Sequence, residues 1–102
     1  MIWREEDLRI IIPEHARLRG RQRGFPLDQG ARTLERVVRA IQALRARDDI
    51  GAKTPLALLS EDGQKVVFEF RRRGTRAVVA TVLGPHQRLE EGTLIFPLAM
   101  VA

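Results

Sequence analysis

The residues best placed for joint chemistry are His15, Arg19 and Arg23, which recur at intervals of four. On a helix this spacing places an imidazole and two guanidinium groups along one ridge. RNA cleavage through the 2′-hydroxyl needs a base for the hydroxyl proton and cations that stabilise the charged phosphate. The spacing therefore predicts His15 as a general base beside Arg19 and Arg23. A packing or capping role for His15, with solvated arginines, accounts for the same spacing.

Two residues further along the chain are candidates to complete such a site. His86 stands in the sequence Gly-Pro-His-Gln directly after a predicted strand, and loops after strands often carry functional groups. It is the candidate acid that protonates the leaving 5′-oxygen. Thr81, within that strand, is a candidate hydrogen-bond donor to phosphate. An ordinary exposed histidine and an ordinary strand threonine are the alternative interpretations.

The charge of the chain is carried almost entirely by arginine. The sequence has 16 Arg and 2 Lys against 13 acidic residues, a formal net charge of +5. Guanidinium groups bind phosphate in a planar, bidentate way, so the arginine groups at residues 17–47 and 71–76 predict a nucleic-acid partner, RNA in particular. The alternative is a solvated surface in a chain that favours Arg over Lys. The candidate contacts are Arg17, Arg21, Arg36, Arg39, Arg71 and Arg73.

The composition excludes several classes of protein. The chain has no cysteine, so a disulfide scaffold and a thiol nucleophile are excluded. It contains no glycine-rich phosphate loop and no metal-ligand spacing, and we expect neither a metal nor a cofactor. No apolar run approaches a membrane span, and the acidic start does not resemble a signal peptide. We therefore expect a single cytoplasmic domain over residues 1–102, with Trp3 filling the core edge rather than stacking on bases.

The periodicity predicts two helices in the first half of the chain. Residues 14–23 have helical composition, Gly20 weakens that helix, and Gly24 ends it. The second helix, over residues 28–47, carries an apolar stripe at spacings of three and four, with Asp28 as its N-cap. Its apolar stripe consists of Leu34, Val37, Val38, Ile41 and Leu44.

Strand patterns surround these helices. Residues 8–12 form a short β-branched strand, and residues 56–59, 65–71, 76–83 and 93–98 follow after the helices. Glu69 lies in an alternating strand and is expected to form a cross-strand salt pair. Because tight turns join consecutive strands, we predict an α+β fold: two N-terminal helices packed on a four- to five-stranded, mainly antiparallel sheet.

Residues 15–25 resemble the opening of a bacterial and phage family of unknown function. The shared pattern is His-Ala-x-x-Arg-x-x-x-Arg-Gly followed by an apolar residue. That family is grouped with RelE-like toxins in the barnase–EndoU–colicin–RelE class of ribonucleases. The resemblance implies a small RNA-directed nuclease or toxin-like module, with His15, Arg19, Arg23 and Thr81 at recurring positions. The chain departs from it in its longer second helix and in lacking tyrosine.

Three functional hypotheses follow from these residues. The first is a metal-independent endoribonuclease or toxin-like domain. The second is a non-catalytic regulator that binds nucleic acid or a protein such as an antitoxin, encoded by a phage or mobile element. The third is an assembly component that forms a homodimer through the apolar C-terminal strand.

Overall fold

The fold is described by a computed structural model that covers residues 8–51 and 53–101. Trp3 therefore lies outside the described residues. The α+β class is confirmed, and so is the presence of five strands. In chain order the elements are β1 Arg9–Ile11, α1 Glu14–Gln22, α2 Arg32–Arg45, β2 Leu56–Leu59, β3 Lys65–Arg71, β4 Arg76–Leu83, β5 Leu94–Pro97 and α3 Leu98–Val101.

The five strands form a mixed sheet in the order β1-β4-β3-β2-β5. The two inner pairings, β2 with β3 and β3 with β4, are antiparallel hairpins. The two outer pairings, β1 with β4 and β2 with β5, are parallel. The prediction of a mainly antiparallel sheet is wrong, because the long connections to β1 and β5 allow a parallel arrangement that a tight turn forbids.

One face of this sheet carries the core. Val66, Phe68 and Phe70 alternate inward along β3, as their spacing predicts. They belong to the same buried cluster as Val37 and Ile41 of α2. The apolar stripe of α2 and one face of the sheet therefore contribute to one hydrophobic core, whose burial stabilises the fold.

The second helix begins later than its sequence predicts. Asp28 is not its N-cap; Ala31 occupies that position and the helix starts at Arg32. Gly30 has a φ of +82°, and the Ala31 amide donates to the Asp28 carbonyl at 2.9 Å. This left-handed turn interrupts the helical path between residues 28 and 31, so the predicted start at residue 28 is wrong.

The end of α1 is a Schellman motif. The amide of Phe25 donates to the Gly20 carbonyl at 2.8 Å, and the amide of Gly24 donates to the Arg21 carbonyl at 3.4 Å. Gly24 has a φ of +75°, the left-handed conformation that this motif requires and that glycine adopts without strain. The prediction that Gly24 ends the helix is confirmed.

A bulge in β4 breaks the register with β3. Val67 pairs with Thr81 and Phe68 pairs with Val79, which leaves Ala80 without a cross-strand partner. In addition, β1 pairs with β4 only up to Val78. Within the described residues, the outer edge of β4 over residues 79–83 therefore has no strand beside it, and its carbonyl groups need other partners.

Candidate functional site

His15 lies at the start of α1 and reaches the free edge of β4. Its Nε2 is 2.8 Å from the carbonyl oxygen of Ala80. A carbonyl oxygen only accepts, so Nε2 must carry the proton and donate it. This hydrogen bond fixes the tautomer of the neutral ring and leaves Nδ1 as the unprotonated nitrogen. The side chain is exposed, so Nδ1 is open to a proton from solvent or substrate.

Arg23 reaches the same edge two residues further along β4. Its Nη1 donates to the Val82 carbonyl at 2.5 Å, and its own carbonyl accepts from Gln64 Nε2 at 3.3 Å. Together, His15 and Arg23 supply hydrogen-bond donors where a neighbouring strand would otherwise supply amides. Both residues therefore have a structural role, because they satisfy the edge carbonyls of β4.

Arg19 is the member of the ridge that stays free of the sheet. It is exposed, and its Nη1 donates to Gln22 Oε1 at 2.9 Å. This neutral partner leaves its charge uncompensated. Arg19 is therefore available to an anion one helical turn away from His15.

Thr81 lies on β4 between Ala80 and Val82, whose carbonyls His15 and Arg23 bind, and His86 follows in the loop after that strand. Thr81 lines a groove of about 380 Å³ on the sheet face opposite the core, together with Val67, Leu83 and Leu89. His86 is exposed in the loop after β4. Lys65 Nζ donates to the Gly84 carbonyl of that loop at 3.3 Å. Neither His15 nor His86 lines this groove, so the groove does not bring the predicted catalytic residues together.

Four of the six arginines predicted to contact nucleic acid are engaged within the protein. Arg17 donates to the Leu27 carbonyl at 2.8 Å, and Arg36 lies 3.8 Å from Glu61. Arg21 lies between Glu14 and Asp28, at 3.6 and 3.7 Å, and Arg71 Nε donates to Glu69 at 2.5 Å. The prediction of a cross-strand salt pair for Glu69 is therefore wrong, because Glu69 pairs with Arg71 of the same strand.

The remaining two candidates, Arg39 and Arg73, are exposed. Neither has a carboxylate within 4.0 Å among residues 8–51 and 53–101. Their charges therefore face solvent without a counterion from the described part of the chain. Like Arg19, both arginines are therefore open to an external anion.

A second cavity, of about 220 Å³, was not predicted from the sequence. It lies between the end of α2 and the β3–β4 turn, where Arg45, Arg47 and Arg73 line it with Asp48 and Phe70. Arg45 is 9% exposed. The sequence does indicate that Arg45 is buried, because it follows Ile41 by four residues and so falls on the buried stripe of α2.

Arg47 forms the best-defined ion pair of this region. Its Nε and Nη2 bind the two carboxylate oxygens of Asp49 at 2.9 and 2.7 Å. The hydrogen bonds from Arg47 hold the pKa of the Asp49 carboxyl below its ordinary value, since they outweigh its partial desolvation. Because this pKa is lowered by folding, the pair stabilises the protein above the ordinary pKa and stops doing so as pH falls through the lowered one.

Arg47→Ala is therefore expected to return the pKa of Asp49 to its ordinary range. Following the Asp49 carboxyl carbon by NMR during acid titration measures this change. Arg39→Ala removes the same charge without touching the pair and serves as the control. An Asp49 titration that is identical in wild type and Arg47→Ala would contradict the assigned cause.

Comparison with known protein families, curated proteins and solved structures finds no match for this chain. No cluster of three or more histidines and carboxylates suited to a metal ion occurs in the part of the chain that the structure describes. Over the same residues, no helix is long and apolar enough to cross a membrane.

Proposed function

We propose that the protein binds the phosphate backbone of RNA through arginines that its own carboxylates do not neutralise. The observation that carries this proposal is the exposure of Arg19, Arg39 and Arg73 without a carboxylate partner among the described residues. Each such guanidinium keeps its full charge for a phosphate group. A paired arginine such as Arg21 must first give up its carboxylates.

The salt dependence of RNA binding tests the proposal. Three phosphate contacts to a single strand predict a slope of log K against log salt of about −2, so affinity falls roughly twentyfold between 50 and 200 mM salt. Arg39→Ala is expected to reduce the slope by about 0.7. Fluorescence anisotropy of a labelled single-stranded RNA at several salt concentrations gives both numbers.

Arg21→Ala is the matched comparison, because it removes an arginine that is shared between Glu14 and Asp28. It is expected to change the slope by less than half as much as Arg39→Ala. RNA affinity that does not vary with salt would overturn the proposal and favour a protein partner instead. Binding that depends on salt equally in wild type and Arg39→Ala would exclude Arg39 as a contact.

RNA cleavage at α1 is a second candidate function, favoured by the hydrogen bond between His15 and Ala80. In this candidate, Nδ1 of His15 accepts the proton of a 2′-hydroxyl. The 2′-oxygen then bonds to the adjacent phosphorus, and the bond from phosphorus to the 5′-oxygen breaks. Arg19 stabilises the charge on the phosphate. A proton from His86 or from water neutralises the leaving 5′-oxygen, and cleavage in the presence of EDTA tests the reaction.

The apolar C-terminal strand favours a contact with a second chain. Leu94 and Ile95 of β5 are 36% and 52% exposed, and Met100 of α3 is 80% exposed. β5 is an edge strand of the sheet, and an exposed edge can pair with a strand from another chain. A homodimer through β5, or an antitoxin-like protein bound there, remains part of the proposal. Light scattering of the purified protein tests for the homodimer, because it measures the mass of the particle in solution.

A further inference from the structure

The excess positive charge gathers at one end of the sheet, which we call the hairpin end. It comprises the residues that meet around the β3–β4 turn: the first residue of β1, the last of β3, the first of β4, and the loop after α2. Eight basic side chains lie there against three carboxylates. The basic ones are Arg9, Arg45, Arg47, Lys53, Arg71, Arg72, Arg73 and Arg76, and the acidic ones are Asp48, Asp49 and Glu69.

That local excess of five equals the formal net charge of the whole chain, +5. The sequence alone places most of the excess on residues 13–47. In the fold, however, two arginines of that segment, Arg45 and Arg47, lie at the hairpin end, and the other seven share the segment with three carboxylates. The hairpin end therefore carries a larger local excess than the rest of that segment, and an anion approaching the protein is attracted to it.

The turn at this end holds arginines in a strained backbone conformation. Arg72 and Arg73 have φ of 50° and 57°, and Gly74 follows at 81°. Three successive left-handed residues form a conformation in which a side chain with a Cβ is disfavoured by roughly 1–2 kcal/mol per residue. Only one of the three positions carries glycine. Strain of this kind persists where the side chain has a use that outweighs it.

A cavity beside the turn brings Arg73 together with two arginines from the end of α2. Its volume of about 220 Å³ is lined by Arg45, Arg47 and Arg73, with the apolar side chains of Ile50 and Phe70 forming part of the wall. At about 30 Å³ per water molecule, it has room for a tetrahedral oxyanion and several waters. The guanidinium groups come from two separate parts of the chain, the end of α2 and the β3–β4 turn. Of the three, Arg47 already binds the carboxylate of Asp49.

We propose that this cavity binds a phosphate group, with Arg73 as the contact that closes over it from the turn. The partial negative charge at the end of α2 and the carboxylate of Asp48 oppose an anion there. Arg45, in the last turn of the helix, offsets the helix dipole. Arg73 adds a positive charge that neither the helix nor a described carboxylate balances, and it makes the site attractive to phosphate.

The strain at the turn provides a direct test. Arg73→Gly removes the cation and relieves the left-handed strain, so its thermal midpoint is expected to rise by about 3–5 °C. Its affinity for inorganic phosphate, followed by amide shifts in two-dimensional NMR, is expected to fall about tenfold. Arg73→Lys keeps the charge and the strain, and is expected to lose less affinity and gain no stability. Arg88→Ala, an exposed arginine of the 84–93 loop, is the control for charge alone.

The outcomes separate the sources of the phosphate. Displacement of phosphate by single-stranded RNA assigns the cavity to the RNA backbone, which rests on the proposed function. Phosphate or a 5′-mononucleotide that binds without competition from RNA assigns the cavity to small phosphate compounds, and RNA binding through Arg19 and Arg39 is then decided by its salt dependence. No shift at residues 45, 47 and 73 at about 10 mM phosphate overturns the inference. So does an Arg73→Gly variant that gains stability and binds phosphate as tightly as wild type.

Discussion

His15→Gln is expected to lower RNA cleavage in EDTA by about 10²–10⁴-fold, the usual contribution of a general base, while leaving the fold intact. The glutamine amide can donate to the Ala80 carbonyl as Nε2 of His15 does, but it cannot accept a proton at neutral pH. The variant therefore removes the base and keeps the hydrogen bond. Rates on a single-stranded RNA, with circular dichroism of the same sample, measure both effects.

His15→Ala is the companion variant, because it removes the base and the hydrogen bond together. It is expected to lose the same activity and also about 0.5–1.5 kcal/mol of stability, since the edge carbonyl of Ala80 loses its donor. Wild-type cleavage by His15→Gln would exclude His15 as the base. Absence of cleavage by the wild-type protein would exclude the catalytic candidate altogether and leave RNA binding to be judged by its salt dependence.

The pattern that suggested catalysis also has a structural explanation. In residues 15–25, His15 and Arg23 bind the open edge of β4, and Gly24 and Phe25 close α1 through the Schellman motif. Only Arg19, of the histidine–arginine ridge, has no such contact with the sheet. Helical spacing placed the three residues on one face, but it could not indicate that two of them would meet backbone carbonyls beside a bulge at Ala80.

Much of the secondary structure was readable from the sequence by local rules, although Asp28 is not the N-cap that its residue type predicted. The alternation of Val66, Phe68 and Phe70 and the stripe of α2 followed from burial of one face. The direction of β1 and β5 did not, because strands reached through long connections are positioned by the whole sheet rather than by a turn. The short helix α3 was missed for a related reason, since its four residues lack the length that a periodic pattern needs.

Which arginines are available to an anion was also not predictable from the sequence. Counting along the chain favoured the arginines of the two helices, because sequence distance does not reveal that Arg36 meets Glu61 or that Arg17 meets a carbonyl. The phosphate cavity combines Arg45 and Arg47 with Arg73, residues that lie on either side of two strands in the sequence. An anion site assembled from distant segments is a product of topology, and only the fold places its parts together.

Gly20→Ala is expected to destabilise the protein by about 1–3 kcal/mol, lowering the thermal midpoint by roughly 4–15 °C. Helix propensity predicts the opposite sign, because alanine normally stabilises a helix interior by about 1 kcal/mol relative to glycine. Here a Cβ at residue 20 would lie 2.6 Å from the carbonyl oxygen of Phe25. That oxygen belongs to backbone held by the hydrogen bond from the Phe25 amide to the Gly20 carbonyl, so it cannot move aside without opening the Schellman motif. Thermal and urea denaturation measure the change.

Leu18→Ala is the control for this prediction, because residue 18 lies in the same helix with its side chain 44% exposed. It is expected to change the free energy of unfolding by less than about 0.5 kcal/mol, as surface substitutions usually do. Gly20→Ala with wild-type or higher stability would show that the chain after α1 does not pack closely against the helix. A loss confined to Gly20→Ala would instead identify residue 20 as the point where the turn into Phe25 and Leu27 passes against α1, which positions His15 and Arg23 along β4.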